Sequence, residues 1–346
     1  MKTLIKPIPD PKNYDIVPPD MDYRYFNDAA AHPFEASNTE FSKVNAWWLA
    51  DCSLLAYTHP GFARMAYQLA GFNQFSFFQG KGTECMAAGN QQALIISFRG
   101  TELKSLSALY ELRSDLDALP TRFSEGGKVH TGFQKALDEI WDGEQGLAAF
   151  IEQQIAEYPE RPIWMTGHSL GGALATLCFA KITQATGLYI YGAPRLGDSD
   201  FTHLLKQRPV WRVEHARDPI PMLPPNVPAI KFCFEDTGEL VYIHSDQRID
   251  YQRPEMSSEQ YKELIVNTFQ AQEARRKSLN IDLAEINQHL LDSFKEWRDN
   301  LKRLHGDTSI SFTDHMPIYY CVKLWNSLQD EQTPGVLADA SSKPSA

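Results

Sequence analysis

A serine held between glycines, where an apolar run meets a run rich in alanine and leucine, constrains this chain more than any other feature. Residues 165–177 read MTGHSLGGALATL. A strand that turns sharply into a helix needs glycine where the two nearly touch, and it can hold one side chain out at the turn. The pattern therefore predicts Ser169 as a nucleophile on a strand–turn–helix elbow, with an ordinary turn serine as the alternative.

Apolar runs rich in β-branched residues alternate with helical patterns on both sides of this elbow. They lie at residues 93–98, 162–165, 188–191 and 210–215. This alternation predicts an α/β fold with a mostly parallel, buried sheet. Residues 230–244 are predicted to form a hairpin with its turn at 236–239. The 346 residues are expected to form one domain, with its core over about residues 20–331.

A charged stretch at about residues 257–305 is predicted to be a helical insertion in this domain. Apolar side chains recur there at intervals of three and four: Leu283, Ile286, Leu290, Phe294, Trp297, Leu301 and Leu304. Such a stripe favours packing on the main core over binding a partner or a membrane. The small and polar residues 332–346 are predicted to be a flexible tail.

Composition narrows the classes of partner. The net charge of −11 gives no electrostatic attraction to nucleic acid or to an anionic membrane. The five widely spaced cysteines indicate reduced thiols instead of a disulfide framework or a zinc site. Lys6 and several prolines interrupt the first apolar residues, and no run of 18 apolar residues occurs. We therefore expect no cleavable signal and no transmembrane segment, with a cytoplasmic location or export by a non-classical route; the oligomeric state stays open.

A serine nucleophile needs an imidazole to take its proton and a carboxylate to orient that imidazole. On a sheet of the α/β-hydrolase type these follow the serine in the order Asp, His, each after a strand. Asp218 follows the apolar run 210–215 and precedes a proline-rich turn, and His315 lies between a short β-like run and an apolar segment suited to a closing helix. The sequence therefore predicts an α/β-hydrolase fold with the triad Ser169, Asp218 and His315.

Other residues compete for two of these roles. Asp198 follows its strand sooner and fits a helix N-cap better than a catalytic position. Two of the rival histidines lie in the charged stretch and one ends a predicted hairpin strand: His289, His305 and His244. Two more are interpreted as structural and satisfied by hydrogen bonds: His130 and His168.

A tetrahedral oxyanion also needs hydrogen-bond donors. The backbone N–H of Leu170 follows the nucleophile and opens a helix, where the dipole favours negative charge. A second donor should come from a loop after an earlier strand, and Thr101, preceded by Gly100, occupies such a loop. The predicted oxyanion hole is therefore formed by Thr101 and Leu170.

The ordered set FRGT, KVHTGF, GHSLGGALA, YGAPRLGD, RDPIPMLPP and DHMPIYY resembles the class 3 lipases, the family of the filamentous-fungal triacylglycerol lipases. The resemblance covers about residues 45–325 without the charged insertion. It implies the same triad and oxyanion residues, and a mobile lid over residues 102–120. The side chains that would cover the acyl groove are Leu103, Leu106, Leu109, Tyr110 and Leu112.

The resemblance implies hydrolysis of glycerol esters of the triacylglycerol type at a lipid–water interface, through an acyl-enzyme and without a metal or organic cofactor. A phospholipase, an esterase or an acyltransferase with the same triad is the alternative within the enzymes. Outside them, the alternative is a non-catalytic module that binds lipid or protein.

Overall fold

The computed structural model describes residues 6–7, 23–101, 120–224, 234–254 and 313–330. Three predicted segments lie outside these ranges: the lid apart from its last residue, Pro120, the helical insertion at about 257–305, and the tail at 332–346. The five lid side chains and the apolar stripe of the insertion lie outside them as well. The boundaries of the single domain remain a prediction.

An eight-stranded sheet forms the centre of the described structure. Its strands lie in the order β1, β2, β3, β6, β7, β8, β9, β10. Their bounds are β1 Gln74–Gln79, β2 Glu84–Gly89, β3 Leu94–Phe98, β6 Ile163–His168, β7 Gly187–Tyr191, β8 Val210–His215, β9 Glu239–Ile243 and β10 Ile249–Asp250. Strands β3, β6, β7, β8 and β9 run parallel, whereas β1, β2 and β10 pair antiparallel at the two ends. A separate two-stranded ribbon joins β4 Pro120–Arg122 to β5 Lys128–His130.

Helices cover both faces of this sheet. They are α1 Lys43–Leu55, α2 Pro60–Leu69, α3 Thr131–Trp141, α4 Leu147–Glu157, α5 Leu170–Lys181, α6 Ser199–Leu205 and α7 Pro317–Asp330. One apolar core contains side chains of α3, α4 and α5, and the other contains side chains of α1, α2 and α7. A mostly parallel sheet between two helical layers is the predicted α/β-hydrolase fold.

The four predicted strands of the parallel sheet are confirmed, and the second is longer than its apolar run because it continues to His168. The predicted hairpin at 230–244 is described only from residue 234. There, β9 pairs in parallel with β8 and antiparallel with β10, whereas Glu235 bridges to Gly197. The described pairings of β9 are therefore made with other parts of the chain.

The first and last described helices pack against each other. Trp47 of α1 and Trp325 of α7 bring their ring centroids within 4.7 Å. Helix α7 begins two residues after His315. Its packing on α1 therefore fixes where the histidine loop reaches the sheet.

Four cysteines are free thiols buried in the two cores: Cys52, Cys85, Cys178 and Cys321. All four lie in the core, as the sequence analysis expects, whereas Cys233 lies outside the described residues. In the part of the chain that the structure describes, no helix has the length and apolar character needed to cross a membrane.

Candidate active site

The predicted strand–turn–helix elbow is present, with Ser169 between β6 and α5. Ser169 has φ 57° and ψ −128°, a left-handed conformation that costs a residue with a side chain about 1–3 kcal/mol. An added Cβ on Gly167 would overlap the Gly171 carbonyl, and one on Gly171 would overlap the carbonyl of Phe98. The glycines are required because strand, helix and the neighbouring strand β3 meet here without room for side chains.

Asp218 and His315, which are 97 residues apart in sequence, form a buried pair. The Nδ1–H of His315 donates to Asp218 Oδ2 at 2.8 Å, and the backbone N–H of Ile220 donates to Oδ1 at 2.9 Å. Because a carboxylate only accepts, the imidazole carries its proton on Nδ1. This tautomer leaves Nε2 as the basic nitrogen.

Tyr320 is a further partner of the carboxylate that the sequence interpretation missed. Its hydroxyl donates to Asp218 Oδ2 at 2.6 Å from the first turns of α7. Burial, followed by the charge of Asp218, raises the pKa of Tyr320 well above its ordinary value, so that the phenol keeps its proton. The one available signal was the second tyrosine of DHMPIYY, five residues after His315.

Ser169 lies beside this pair. Its backbone N–H donates to the carbonyl of Tyr191 at 2.9 Å. Gly192, the residue after Tyr191, touches the pair, because an added Cβ there would lie 2.7 Å from Asp218 Oδ2 and 3.0 Å from His315 Nδ1. Strands β6 and β8, which precede the serine and the aspartate, are two strand spacings apart, or about 10 Å. The serine elbow therefore lies next to the Asp218–His315 pair by way of Gly192.

The side-chain atoms predicted to react are buried and uncommitted. Ser169, Asp218 and His315 expose 1%, 5% and 0% of their surface. Neither Ser169 Oγ nor His315 Nε2 has a hydrogen-bond partner among the described residues. Both atoms are therefore available to a substrate, although burial without a hydrogen bond costs about 1–3 kcal/mol each.

The predicted oxyanion donors belong to two segments at the elbow. Leu170 is the first residue of α5, and the Ser169 side chain does not cap this helix. The first N–H groups of a helix have no acceptor within it, so the Leu170 N–H is available to a developing negative charge. Thr101 follows Gly100, which lies against the carbonyl of His168 at the elbow.

The rival residues have other roles. Asp198 is the N-cap of α6, as predicted, and its Oδ1 accepts from the Phe201 N–H at 3.0 Å. His130 caps α3 and stacks on Phe133, which agrees with its structural interpretation. His244 lies 3.8 Å from Asp250, a carboxylate on the edge strand β10. The remaining rivals, His289 and His305, lie outside the described residues.

Two buried histidines hold consecutive carbonyls of the His315 loop. His215 Nδ1 lies 2.9 Å from the main-chain oxygen of Asp314, and His168 Nε2 lies 2.6 Å from the main-chain oxygen of His315. Burial holds the pKa of both imidazoles below the ordinary value, and the nearby His315 lowers that of His168 further. Both are therefore neutral donors that anchor the loop.

This arrangement makes the free energy of unfolding depend on pH. Below about pH 6.5, the ordinary histidine pKa, His168 and His215 bind protons in the unfolded chain but stay neutral in the folded protein. Stability should therefore fall with decreasing pH, by up to about 1.4 kcal/mol per pH unit for each histidine. Urea or thermal unfolding between about pH 8 and about pH 5 measures this slope.

Matched variants separate these histidines from the other titrating groups. His168→Gln and His215→Asn each keep an amide donor near the position of the bonded nitrogen but do not titrate. Each should flatten the slope below about pH 6.5. Parallel slopes for the wild type and both variants would contradict the prediction, whatever their absolute stabilities.

Comparison with known proteins finds similarity to lipases around the described site. The model of the family Lipase (class 3) matches residues 95–227, which contain Ser169 and Asp218. A lipase from Rhizomucor miehei is 32% identical over 166 residues, which are 44% of this chain and 42% of that protein. A secreted mono- and diacylglycerol lipase from Fusarium solani is 37% identical over 107 residues, 30% of this chain and 31% of that protein. The chain thus matches less than half of the length of these relatives.

Solved structures of lipases also align with this chain. A triacylglycerol lipase described as having a serine protease triad at its catalytic centre is 27% identical, covers 57% of this chain and 78% of its own, and has a TM-score of 0.47. The triacylglyceride lipase of Rhizomucor miehei is 24% identical, covers 62% of this chain and 87% of its own, and has a TM-score of 0.49.

Proposed function

We propose that this chain is a class 3 lipase that hydrolyses carboxylic esters of glycerol, with triacylglycerols as the substrate class, because the model of that family matches residues 95–227. The observation that carries the proposal is the buried hydrogen bond of 2.8 Å between His315 and Asp218, beside a serine on a strained elbow. The relative from Fusarium solani is named a mono- and diacylglycerol lipase, which supports an acylglycerol substrate.

In the first half of the proposed reaction, Ser169 Oγ attacks the ester carbonyl while His315 Nε2 takes the hydroxyl proton. Asp218 accepts from Nδ1 and stabilises the imidazolium that forms. The N–H groups of Leu170 and Thr101 bind the oxyanion of the tetrahedral intermediate, and removing one such donor typically costs about 3 kcal/mol. The intermediate collapses to an acyl-serine as His315 protonates the departing alcohol.

In the second half, water takes the place of the alcohol. His315 accepts one of its protons while its oxygen attacks the acyl carbon, and the same donors bind the second oxyanion. Collapse returns the proton to Ser169 and releases the fatty acid. Every proton moves between Ser169, His315, the departing alcohol and the incoming water, so the reaction balances with the Ser–His–Asp triad and the two oxyanion donors.

Hydrolysis of matched glycerol esters tests this proposal and separates it from the alternatives. A short-chain and a long-chain triacylglycerol are assayed below and above the concentration at which each forms an interface, with phosphatidylcholine and a soluble aryl ester in parallel. We expect the rate on long-chain triacylglycerol to rise sharply when the interface appears. Smooth saturation with soluble esters alone would identify an esterase, and preference for phosphatidylcholine a phospholipase.

Covalent trapping identifies the nucleophile independently of turnover. An alkyl phosphonate ester forms a stable adduct with an activated serine because it resembles the tetrahedral intermediate. We expect one adduct per chain, on the peptide that contains Ser169, when the product is analysed by mass spectrometry. No turnover and no adduct would favour the non-catalytic binding module.

A further inference from the structure

A series of buried hydrogen bonds joins three loops around Ser169. None of the side chains in this series takes part in the proposed reaction. The hydroxyl of Tyr57, just after α1, lies 2.9 Å from His168 Nδ1. The other nitrogen, His168 Nε2, lies 2.6 Å from the main-chain oxygen of His315. On the far side, the backbone N–H of Gly100 is bonded to the Tyr57 oxygen. These hydrogen bonds thus connect the loop that leads to Thr101 with the loop that contains His315.

The groups at the two ends of this hydrogen-bond series determine which atom donates in each hydrogen bond. The main-chain oxygen of His315 only accepts, so His168 carries its proton on Nε2. Burial keeps His168 neutral by holding its pKa well below the ordinary value, so its Nδ1 has a free lone pair. Tyr57 must therefore donate to Nδ1, and its oxygen accepts from Gly100. One tautomer of His168 satisfies all four groups.

Close packing leaves this hydrogen-bond series little freedom to shift. An added Cβ on Gly100 would overlap the Tyr57 hydroxyl and would lie 2.6 Å from the His168 carbonyl. The rings of His168 and His315 lie with their centroids 4.5 Å apart, inclined at 38°. Tyr57 and His168 are both buried. A displacement at either loop is therefore transmitted to the other, because densely packed interiors have no spare volume.

We propose that Tyr57 and His168 are positioning residues that hold the oxyanion loop at Gly100 and the base loop at His315 in register with the elbow. The inference rests on the proposed roles of Ser169 and His315. It also explains why His168 must stay neutral while His315 gains and loses a proton: a second imidazolium 4.5 Å away would raise the energy of the protonated base.

Tyr57→Phe tests the kinetic consequence. The variant removes one hydroxyl and leaves the Gly100 N–H and the His168 lone pair without their shared partner. For a soluble short-chain ester such as p-nitrophenyl butyrate, we expect kcat to fall about tenfold or more because small displacements of reacting groups are costly. KM should change by less than about twofold, since the hydroxyl does not touch the substrate.

Tyr67→Phe is the matched control. Tyr67 is equally buried, and its hydroxyl lies 3.3 Å from Ser97 Oγ, a group that belongs to the core and not to the site. Its removal should lower the melting temperature without lowering kcat. If Tyr57→Phe kept the kcat of Tyr67→Phe, the hydroxyl would have only a structural role and the proposal would be overturned.

The tautomer of His168 gives a second readout that does not depend on turnover. In ¹⁵N spectra of histidine-labelled protein, His168 is the neutral signal absent from the His168→Gln variant. We expect the Nε2–H tautomer from about pH 6 to about pH 8 in both the wild type and Tyr57→Phe, because the His315 carbonyl requires a donor in both. The resonance of the unprotonated Nδ1 should move downfield in Tyr57→Phe, because this nitrogen loses the hydrogen bond from the hydroxyl. A wild-type signal that titrates in this range, or an unchanged Nδ1 resonance in Tyr57→Phe, would refute the proposed hydrogen bonds. If the wild type hydrolysed no ester, the proposed function would fail, but the ¹⁵N spectra would still test the hydrogen bonds of Tyr57 and His168.

Discussion

Ser169→Ala is expected to lower kcat for ester hydrolysis by about 10⁶-fold, because the proposed mechanism forms the acyl-enzyme on the Ser169 hydroxyl oxygen. The fold should be unaffected. Ser169 Oγ has no hydrogen-bond partner among the described residues, so the substitution removes no described bond. Alanine also carries a Cβ, so the backbone at φ 57° is no more strained than with serine.

The measurement is kcat on a soluble ester together with the thermal unfolding midpoint. Ser53→Ala is the matched control, because Ser53 is also buried and its hydroxyl donates to the carbonyl of Ala50 within α1. It should lose some stability and keep its kcat. A Ser169→Ala protein with kcat within tenfold of the wild type would exclude this serine as the nucleophile.

Asp218→Asn is the second large effect, with an expected fall in kcat of about 10⁴-fold. The carboxylate accepts from three donors: His315 Nδ1–H, the Tyr320 hydroxyl and the Ile220 N–H. An amide has one accepting oxygen and one donating nitrogen, so it cannot accept from both sides. One orientation places the amide N–H against His315 and favours the tautomer in which Nε2 is no longer basic.

Two variants bracket this result. Tyr320→Phe removes one hydrogen bond but keeps the charge, so kcat should fall only about tenfold. Asp198→Asn should leave kcat unchanged, because asparagine caps a helix as well as aspartate does. Equal losses for Asp218→Asn and Tyr320→Phe would mean that the charge of the carboxylate is not needed.

The elbow and the parallel strands were predictable because the sequence signal for each lies within a few consecutive residues. The glycines around Ser169 report a close approach that no other residue allows, and the buried strands from Leu94–Phe98 to Val210–His215 are short apolar runs. The N-cap role of Asp198 was equally local. Placing Asp218 and His315 used an additional rule, the order of the triad along a known type of sheet.

The groups around the triad were not predictable because their partners are distant in sequence. Tyr320 reaches Asp218, and Tyr57 reaches His168, only after helices from opposite ends of the chain have packed. Strands β1 and β2 were also not predicted. The β1 sequence, QFSFFQ, does not alternate regularly between polar and apolar residues, and β2 is rich in alanine, which is depleted in strands. Helix α1 is buried almost all round, so it shows no amphipathic period.

The packing of α7 on α1 also sets a time order for the appearance of activity during synthesis. A ribosome that has translated residues 1–312 has produced Ser169 and Asp218, but neither His315 nor the helix that anchors it. His315 is therefore added after the other two residues of the predicted triad, and its loop is held in place only when α7 packs on α1. A nascent chain that ends before residue 315 lacks its proton acceptor and cannot cleave esters by the proposed route.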